Sequence, residues 1–185
     1  MATANIETLT GAGARRIVVT CPHCLHSLGA EYAQFGADLE VIHHTTLINQ
    51  LVRAGNLKLS GEGGNAQRVT FRDPCYLGRH NGVFDDPRDA LAAGKVELLA
   101  MVRPRSNSFC CGAGGAQMWK EEEPGQVGVN TSRFEEAECT GADTMVVGCP
   151  FCMVMMTDAS RAAGESMPVR DVTDIVAFSP CVTCN

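Results

Sequence analysis

The sequence predicts an α/β fold: a mostly parallel sheet with flanking helices, arranged as two pseudo-symmetric halves of which the first is incomplete. Three observations predict this fold. Short β-branched segments alternate with segments of helical apolar period, glycine and proline mark the ends of these elements, and one strand–helix segment occurs twice. Strands that alternate with helices are typical of parallel sheets whose connections cross over through helices.

The first half contains two strand–helix pairs, and each helix ends at a glycine. In order, the elements are a strand over 17–20, the sequence Cys-Pro-His-Cys at 21–24, a helix to Gly36, a strand over 39–42 and a helix to Gly55. Pro22 fits the first turn of a helix, where a missing N–H costs no hydrogen bond. Thr45 or Thr46 is expected to cap the second helix.

The second half contains more elements of the same kinds. In order, they are a strand over 69–71, a helix opened by Pro87, a strand over 96–102, a turn-rich loop at 110–115, an exposed helix over 129–139, a strand over 144–147, a helix over 153–163, a short strand at Val169 and a helix over 172–177. Glycine and proline clusters separate these elements, as expected of turns.

An internal repeat relates the halves. The segment IVVTCPHC at 17–24 returns 128 residues later as MVVGCPFC at 145–152. In both places a helix, a short strand and a second helix follow. Such self-similarity indicates duplication. The first half has nothing like the segment from Cys75 to Gly115 ahead of its repeat, so it is predicted to be incomplete.

Composition narrows the class of function. The net charge is −6 with no basic block, which argues against nucleic-acid binding. The longest apolar stretch, 145–156, is too short to span a bilayer, and the first 16 residues lack the apolar core of a secretory signal. A cytoplasmic location is therefore expected, where thiols stay reduced. The ten cysteines among 185 residues then indicate metal or redox chemistry rather than disulfides.

Five cysteines follow predicted strands or lie in loops beside them: Cys75, Cys110, Cys111, Cys149 and Cys152. The carboxyl ends of parallel strands share one edge of a sheet, so these thiols are expected to converge there. A helix that starts at Cys-Pro-Phe-Cys would also stabilise anionic sulfur with its free N–H groups.

Five thiolates are more than one zinc ion takes, and an all-sulfur set of this size favours an iron–sulfur cluster. Gly112, Gly114 and Gly115 remove side chains beside the adjacent cysteines and let the backbone approach a bulky group. Two other interpretations stay open. One is a structural zinc site formed by Cys21, Cys24 and the Cys149–Cys152 pair, and the other is a chain that binds no metal.

Three strings carry a resemblance to a known family: DPCYLGRH at 73–80, CCGAGG at 110–115 and CPFC at 149–152. They resemble the CCG-domain (cysteine-rich domain) iron–sulfur proteins related to heterodisulfide reductase. Longer strings, such as TGADTMVVGCPFCMVMMTDA, are most similar to the branch that passes electrons from electron-transfer flavoprotein to quinone. The resemblance covers nearly the whole chain.

The resemblance implies the following expectations. Cys75, Cys110, Cys111, Cys149 and Cys152 would hold a [4Fe-4S] cluster of the non-cubane type. The donor would be a flavoprotein like electron-transfer flavoprotein, and the acceptor a quinone or a thiol or disulfide, on the cytoplasmic face of a membrane reached through partners. Cys21 and Cys24 would be the remnant of a first cysteine set, and the chain looks like a carboxy-terminal fragment whose missing half another chain could supply.

The expected domains are an incomplete first CCG half over 1–59, a linker over 60–68, a complete second half over 69–178 and a tail over 179–185. Cys181 and Cys184 fall in that tail and are expected to be non-ligands. Cys139 is expected to be buried, and Trp119 and Met118 to belong to the core. Arg79 and His80 could contact the cysteine ligands and orient them without binding the metal. His43, His44 and Asp73 are expected to be structural.

Overall fold

The computed structural model describes residues 1–59, 67–121 and 125–177. In order, the helices and strands are α1 (Ala2–Gly11), β1 (Arg16–Val19), α2 (Pro22–His26), β2 (Glu40–His43), α3 (His44–Arg53), β3 (Arg68–Phe71), α4 (Asp86–Ala93), β4 (Glu97–Leu99), α5 (Val129–Glu138), β5 (Thr144–Val147), α6 (Pro150–Ala162), β6 (Val169–Asp171) and α7 (Val172–Ala177). Short 3₁₀ and π turns join them, among them Tyr76–His80 and Gly114–Trp119.

The strands form two sheets, and every strand pair is parallel. One sheet pairs β1 with β2, and the other has the order β4-β3-β5-β6. All four residues of β5 are buried, as expected of a strand covered on both faces of a parallel sheet. The predicted fold class, a parallel α/β arrangement with flanking helices, is confirmed.

The internal repeat is visible in the topology. The order β1-α2-β2-α3 in the first half matches β5-α6-β6-α7 in the second. Val19 pairs with His43 in one sheet, and Val147 pairs with Asp171 at the equivalent place in the other. The halves differ at one edge: β5 also pairs with β3, whereas β1 pairs with β2 alone in the part of the chain that the structure describes.

Buried polar groups join the two halves. The His43 ring is fully buried and bonds within the first half, to the Thr45 hydroxyl at 2.8 Å. His44 Nε2 lies 3.3 Å from Asp171 Oδ1, which is contributed by the other half. Asp86 at the start of α4 accepts hydrogen bonds from Thr46 and Asn49 of α3. These contacts fix α3 against the second half.

Some local predictions are corrected. Helix α3 begins at His44, and no side chain caps it: His43 holds the N-cap position, the Thr45 hydroxyl bonds to the His43 ring and the Thr46 hydroxyl donates to Asp86. Helix α5 is not simply exposed, since Arg133, Phe134 and Ala137 are buried. Helix α1 was not predicted.

The predicted domain boundaries stay predictions. Most of the expected linker and the end of the chain, residues 60–66 and 178–185, lie outside the described residues. The tail cysteines Cys181 and Cys184 are among them.

Candidate metal centre

All five predicted cysteines line one cavity of about 310 Å³. Cys75 follows β3, Cys110 and Cys111 come from the loop after β4, and Cys149 and Cys152 begin α6. Three separate segments therefore bring their thiols to the carboxyl edge of the larger sheet, as the sequence predicted.

The five cysteines at the cavity differ in burial. Cys111, Cys149 and Cys152 are buried, while Cys75 and Cys110 are half-buried. Cys149 occupies the N-cap of α6 with extended backbone, and Pro150 takes the first helical position. This geometry turns the Cys149 and Cys152 side chains toward the same side of the helix start.

The Cys110–Cys111 turn depends on glycine. Gly112 has φ +91°, and a Cβ there would lie 3.3 Å from Met155 Cε, so any other residue would be strained and crowded. Its N–H donates to Cys110 Sγ at 3.3 Å. Gly114 and Gly115 line the cavity, whereas Gly112 lies behind it. The expectation that the three glycines let the backbone contact a bound group stays a prediction.

The thiols contact one another. Hydrogen bonds from the Cys110 and Cys152 thiols, with Arg72 nearby, lower the pKa of Cys111 to about 2. Burial raises the pKa of Cys152 well above its ordinary value. A hydrogen bond from Cys152 lowers the pKa of Cys149. The hydrogen bond with Cys111 raises the pKa of Cys110. Within the set, Cys111 and Cys149 therefore favour the thiolate, which is the form that binds metal, while Cys110 and Cys152 stay protonated and donate to them.

Arg72 is a site residue that sequence reasoning missed. Its side chain is fully buried at the end of β3, and Nη1 donates to Cys152 Sγ at 2.6 Å. Its other nitrogen, Nη2, donates to the Phe109 carbonyl at 3.3 Å, next to Cys110. The available signal was a charged residue placed directly between a buried strand and the Asp-Pro-Cys turn.

A buried ionic network holds the loop that carries Cys110 and Cys111. Asp73 accepts two hydrogen bonds from Arg88, at 2.7 and 2.8 Å, and one from the Arg105 N–H at 2.7 Å. The Ser108 hydroxyl donates to the Asp73 carbonyl, and Arg79 donates to the Ser108 carbonyl. Asp73 is thus structural, as expected, and it links the Cys75 turn to the Cys110 loop.

Aromatic rings form the rim of the cavity. The His23 ring lies 4.1 Å from Tyr76 and 4.8 Å from Phe151, measured between ring centroids. His23 and Phe151 occupy equivalent positions in the repeat, so the two Cys-Pro-x-Cys loops face each other. Trp119 packs edge-on against Phe151 at 5.9 Å but is 71% exposed, so its expected place in the core is wrong.

Cys21 and Cys24 do not line the cavity. Cys21 is half-buried and lies 3.8 Å from His23 Nδ1, and Cys24 is exposed. Burial raises the pKa of Cys21, which opposes the thiolate form. Cys139 is exposed at the end of α5, so the expectation that it is buried is wrong.

Among residues 1–59, 67–121 and 125–177, no three His, Cys, Asp or Glu side chains are grouped so that they could hold a single metal ion. The four-cysteine zinc site is therefore not assembled. A cluster of several irons needs a different arrangement, in which thiols surround a cavity and reach different metals. The five cysteines around the cavity fit that requirement.

In the same described ranges, no helix combines the length and the apolar character that a membrane crossing requires.

Comparisons with known proteins agree with the motifs. The sequence profile of a family described as "Cysteine-rich domain" (CCG) matches residues 1–29 and 69–157. The chain is 37% identical over 93% of its length to an EtfAB:quinone oxidoreductase of Syntrophomonas wolfei. It is 38% identical over 97% of its length to a probable iron-sulfur-binding oxidoreductase, FadF, of Bacillus subtilis.

A third relative is archaeal. The chain is 34% identical over 94% of its length to one component of the dihydromethanophenazine:CoB–CoM heterodisulfide reductase of Methanosarcina barkeri. The chain spans 25% of the length of each of the two bacterial relatives and 42% of the archaeal one.

Proposed function

The chain belongs to the CCG cysteine-rich domain family, and from this membership we propose that it is an iron–sulfur electron-transfer module of an oxidoreductase. The family resemblance read from the three cysteine strings is thereby confirmed. The single observation that supports the module most strongly is the cavity on which five thiols from three segments meet.

The proposed ligands are Cys75, Cys110, Cys111, Cys149 and Cys152, and the proposed group is a [4Fe-4S] cluster of the non-cubane type. When bound, such a cluster accepts and releases single electrons. The protein contributes thiolates, the N–H groups at the start of α6 and of the Gly112 turn, and a buried core in which Cys111, Cys149 and Cys152 pack with Met155, Met156 and Val147.

Each segment has a separate task in this proposal. Pro74 and the Asp73 network hold Cys75 at the end of β3. The positive φ of Gly112 lets Cys110 and Cys111 both turn toward the cavity. The N-terminus of α6 presents Cys149 and Cys152 together, where free N–H groups favour anionic sulfur.

Partners follow from what a module of this kind requires. We propose a flavoprotein donor like electron-transfer flavoprotein and a quinone, thiol or disulfide acceptor, on the cytoplasmic side of a membrane. In the residues that the structure describes, β1 pairs with β2 alone, and its other edge matches the edge of β5 that β3 occupies. It is the place where a segment that completes the first half would pair, whether it comes from a longer chain or from another protein.

The proposal is tested by purifying the chain without oxygen and measuring iron, sulfide and zinc together with the visible spectrum. We expect iron and sulfide in equal amounts and no stoichiometric zinc. The variant Cys111→Ser should lose the cluster absorbance, while Cys139→Ser, at an exposed position away from the cavity, should keep it. Full iron and sulfide in Cys111→Ser would contradict the ligand assignment.

A second test addresses partners. The reconstituted chain alone should not sustain reduction of a soluble quinone by reduced electron-transfer flavoprotein, because a single cysteine set lines the cavity in the described residues. A cluster-free Cys110→Ser variant gives the background rate. Sustained turnover well above that background would show that the chain needs no completing partner.

A further inference from the structure

Arg72 is a fully buried cation with no carboxylate partner in the described residues. Its side chain donates to one thiol, Cys152 Sγ, and to one backbone carbonyl, that of Phe109. The third nitrogen, Nε, is buried and has no hydrogen-bond partner within the described ranges. A buried charge is costly unless an opposite charge or several hydrogen bonds compensate it.

A second buried arginine provides the contrast. Arg133 is also fully buried, but its Nη1 lies 2.8 Å from the carboxylate of Glu136, which lies on the same helix. Glu136 also accepts from Arg103. Arg133, like Arg72, has a buried Nε without a partner in the described ranges, but its charge is paired with a carboxylate, whereas that of Arg72 is not.

Among the described residues, the anions that can balance Arg72 are the cysteine thiolates. Arg72 contacts one of these thiols directly, since its Nη1 lies 2.6 Å from Cys152 Sγ, and a cysteine that binds metal does so as a thiolate. Arg72 also bridges the helix that carries Cys152 and the loop that carries Cys110.

We infer that Arg72 is the fixed positive charge that offsets the cysteine set and raises the reduction potential of the group the cysteines hold. The inference rests on the proposed iron–sulfur function. Each electron that enters a thiolate-bound cluster adds one negative charge, and a guanidinium held against the ligand sulfur stabilises that charge. Arg72 is a positioning and tuning residue that acts through Cys152.

Two substitutions separate the positive charge of Arg72 from its hydrogen bonds. Lysine at position 72 keeps the positive charge but has one donor nitrogen in place of the two that contact Cys152 and the Phe109 carbonyl, so Arg72→Lys should retain most of the effect. Glutamine keeps hydrogen-bond donors but has no charge, so Arg72→Gln should lose the effect on the reduction potential. Arg133→Gln is the matched control, because it removes an equally buried arginine whose charge is already paired and whose partner Glu136 keeps Arg103. Arg133 also donates to the Ser108 hydroxyl, so this control reports the effect of disturbing the loop that carries Cys110 without removing a charge that contacts a thiol.

The experiment is a reductive titration of the four cluster-loaded proteins with dithionite, followed by visible absorbance and electron paramagnetic resonance. At a fixed solution potential, the ratio of reduced to oxidised cluster in Arg72→Gln should fall at least about tenfold relative to wild type. Arg72→Lys should show a smaller fall, and Arg133→Gln none. Equal ratios in wild type and Arg72→Gln would overturn the inference, as would an equal fall in Arg133→Gln.

If Arg72→Gln cannot be loaded with a cluster, the iron and sulfide contents of the variants test the inference instead. Iron and sulfide near the wild-type level in Arg72→Lys, with loss in Arg72→Gln, would support the role of the charge. Equal loss in both variants would assign Arg72 a structural role only and overturn the inference. Absence of iron and sulfide from the wild-type chain would instead contradict the proposed function itself, and the inference with it.

Discussion

The two Cys-Pro-x-Cys loops share one local structure and have different surroundings. In each, a parallel strand leads to a cysteine at a helix N-cap with extended backbone, and proline occupies the first helical turn. Cys149 and Cys152 are 2% exposed and line the cavity, whereas Cys21 is half-buried and Cys24 is exposed. The motif alone therefore does not make the site.

The difference comes from segments outside the motif. Beside Cys149 lie β3, the Cys75 turn, the Cys110–Cys111 loop and the Arg72 guanidinium. Hydrogen bonds and Arg72 lower the pKa of Cys149, while burial raises that of Cys21. A helix N-terminus therefore favours a thiolate here only where other donors and a buried cation assist it.

The first prediction concerns a substitution that breaks the network holding the cysteine loops of the second half. Asp73→Ala leaves Arg88 and the Arg105 N–H without their buried acceptor, where the Asp73 side chain is 3% exposed. We expect the free energy of unfolding to fall by about 3 kcal/mol, since breaking a buried ion pair strands the remaining charge. Urea denaturation of the two proteins measures this difference.

The matched control is an exposed pair in the first half. Arg16 lies 3.3 Å from Glu40 across β1 and β2, and both side chains are about half exposed. Glu40→Ala should cost less than about 1 kcal/mol. Equal losses in the two variants would show that the Asp73 network does not distinguish the halves.

The second prediction concerns the joint between the halves. Burial, with His44 beside it, lowers the pKa of His43 to about 4 from an ordinary value of 6.5. As the pH falls, the unfolded chain therefore binds a proton at His43 before the folded chain does. The contribution of neutral His43 to the free energy of unfolding is fully present above pH 6.5 and declines as the pH falls toward 4. The loss should reach about 3 kcal/mol.

Urea denaturation between about pH 7 and pH 4, in wild type and in His43→Gln, isolates this contribution. The variant should lose the part of the pH dependence that lies between pH 6.5 and about 4. An unchanged slope in the variant would mean that His43 does not titrate across this interval on unfolding.

The third prediction compares equivalent thiols of the repeat. In the cluster-free chain, alkylation without oxygen should label exposed Cys24 at least about a hundredfold faster than buried Cys152, because Cys152 reacts only through local opening. Mass spectrometry of the peptides gives the two rates. Similar rates would indicate that the second loop is as open as the first.

Much of the fold and the convergence of the five cysteines on one cavity could be predicted from local signals. The buried strand β5 is visible in the sequence as a β-branched run, and the shared edge of parallel strand ends predicts that the five cysteines converge. These signals are local in sequence or follow from topology, which the repeat also reveals.

Other features depend on contacts between distant residues. Arg72 is 80 residues from Cys152, so its burial against that sulfur has no local signature. Helix α1 has no buried residue and hence no apolar stripe to identify it. Trp119 looks like a core residue by type, yet it lies in a surface turn at the rim of the cavity.

We propose that the surroundings of a Cys-Pro-x-Cys loop, and not the loop itself, create the proposed metal site. The most direct test of this proposal is the iron and sulfide content of Cys149→Ser and Cys21→Ser, two identical changes at equivalent positions of the repeat, after anaerobic reconstitution. We predict that Cys149→Ser loses the cluster and that Cys21→Ser keeps wild-type iron and sulfide. Loss of the cluster in both variants, or its retention in Cys149→Ser, would contradict the account.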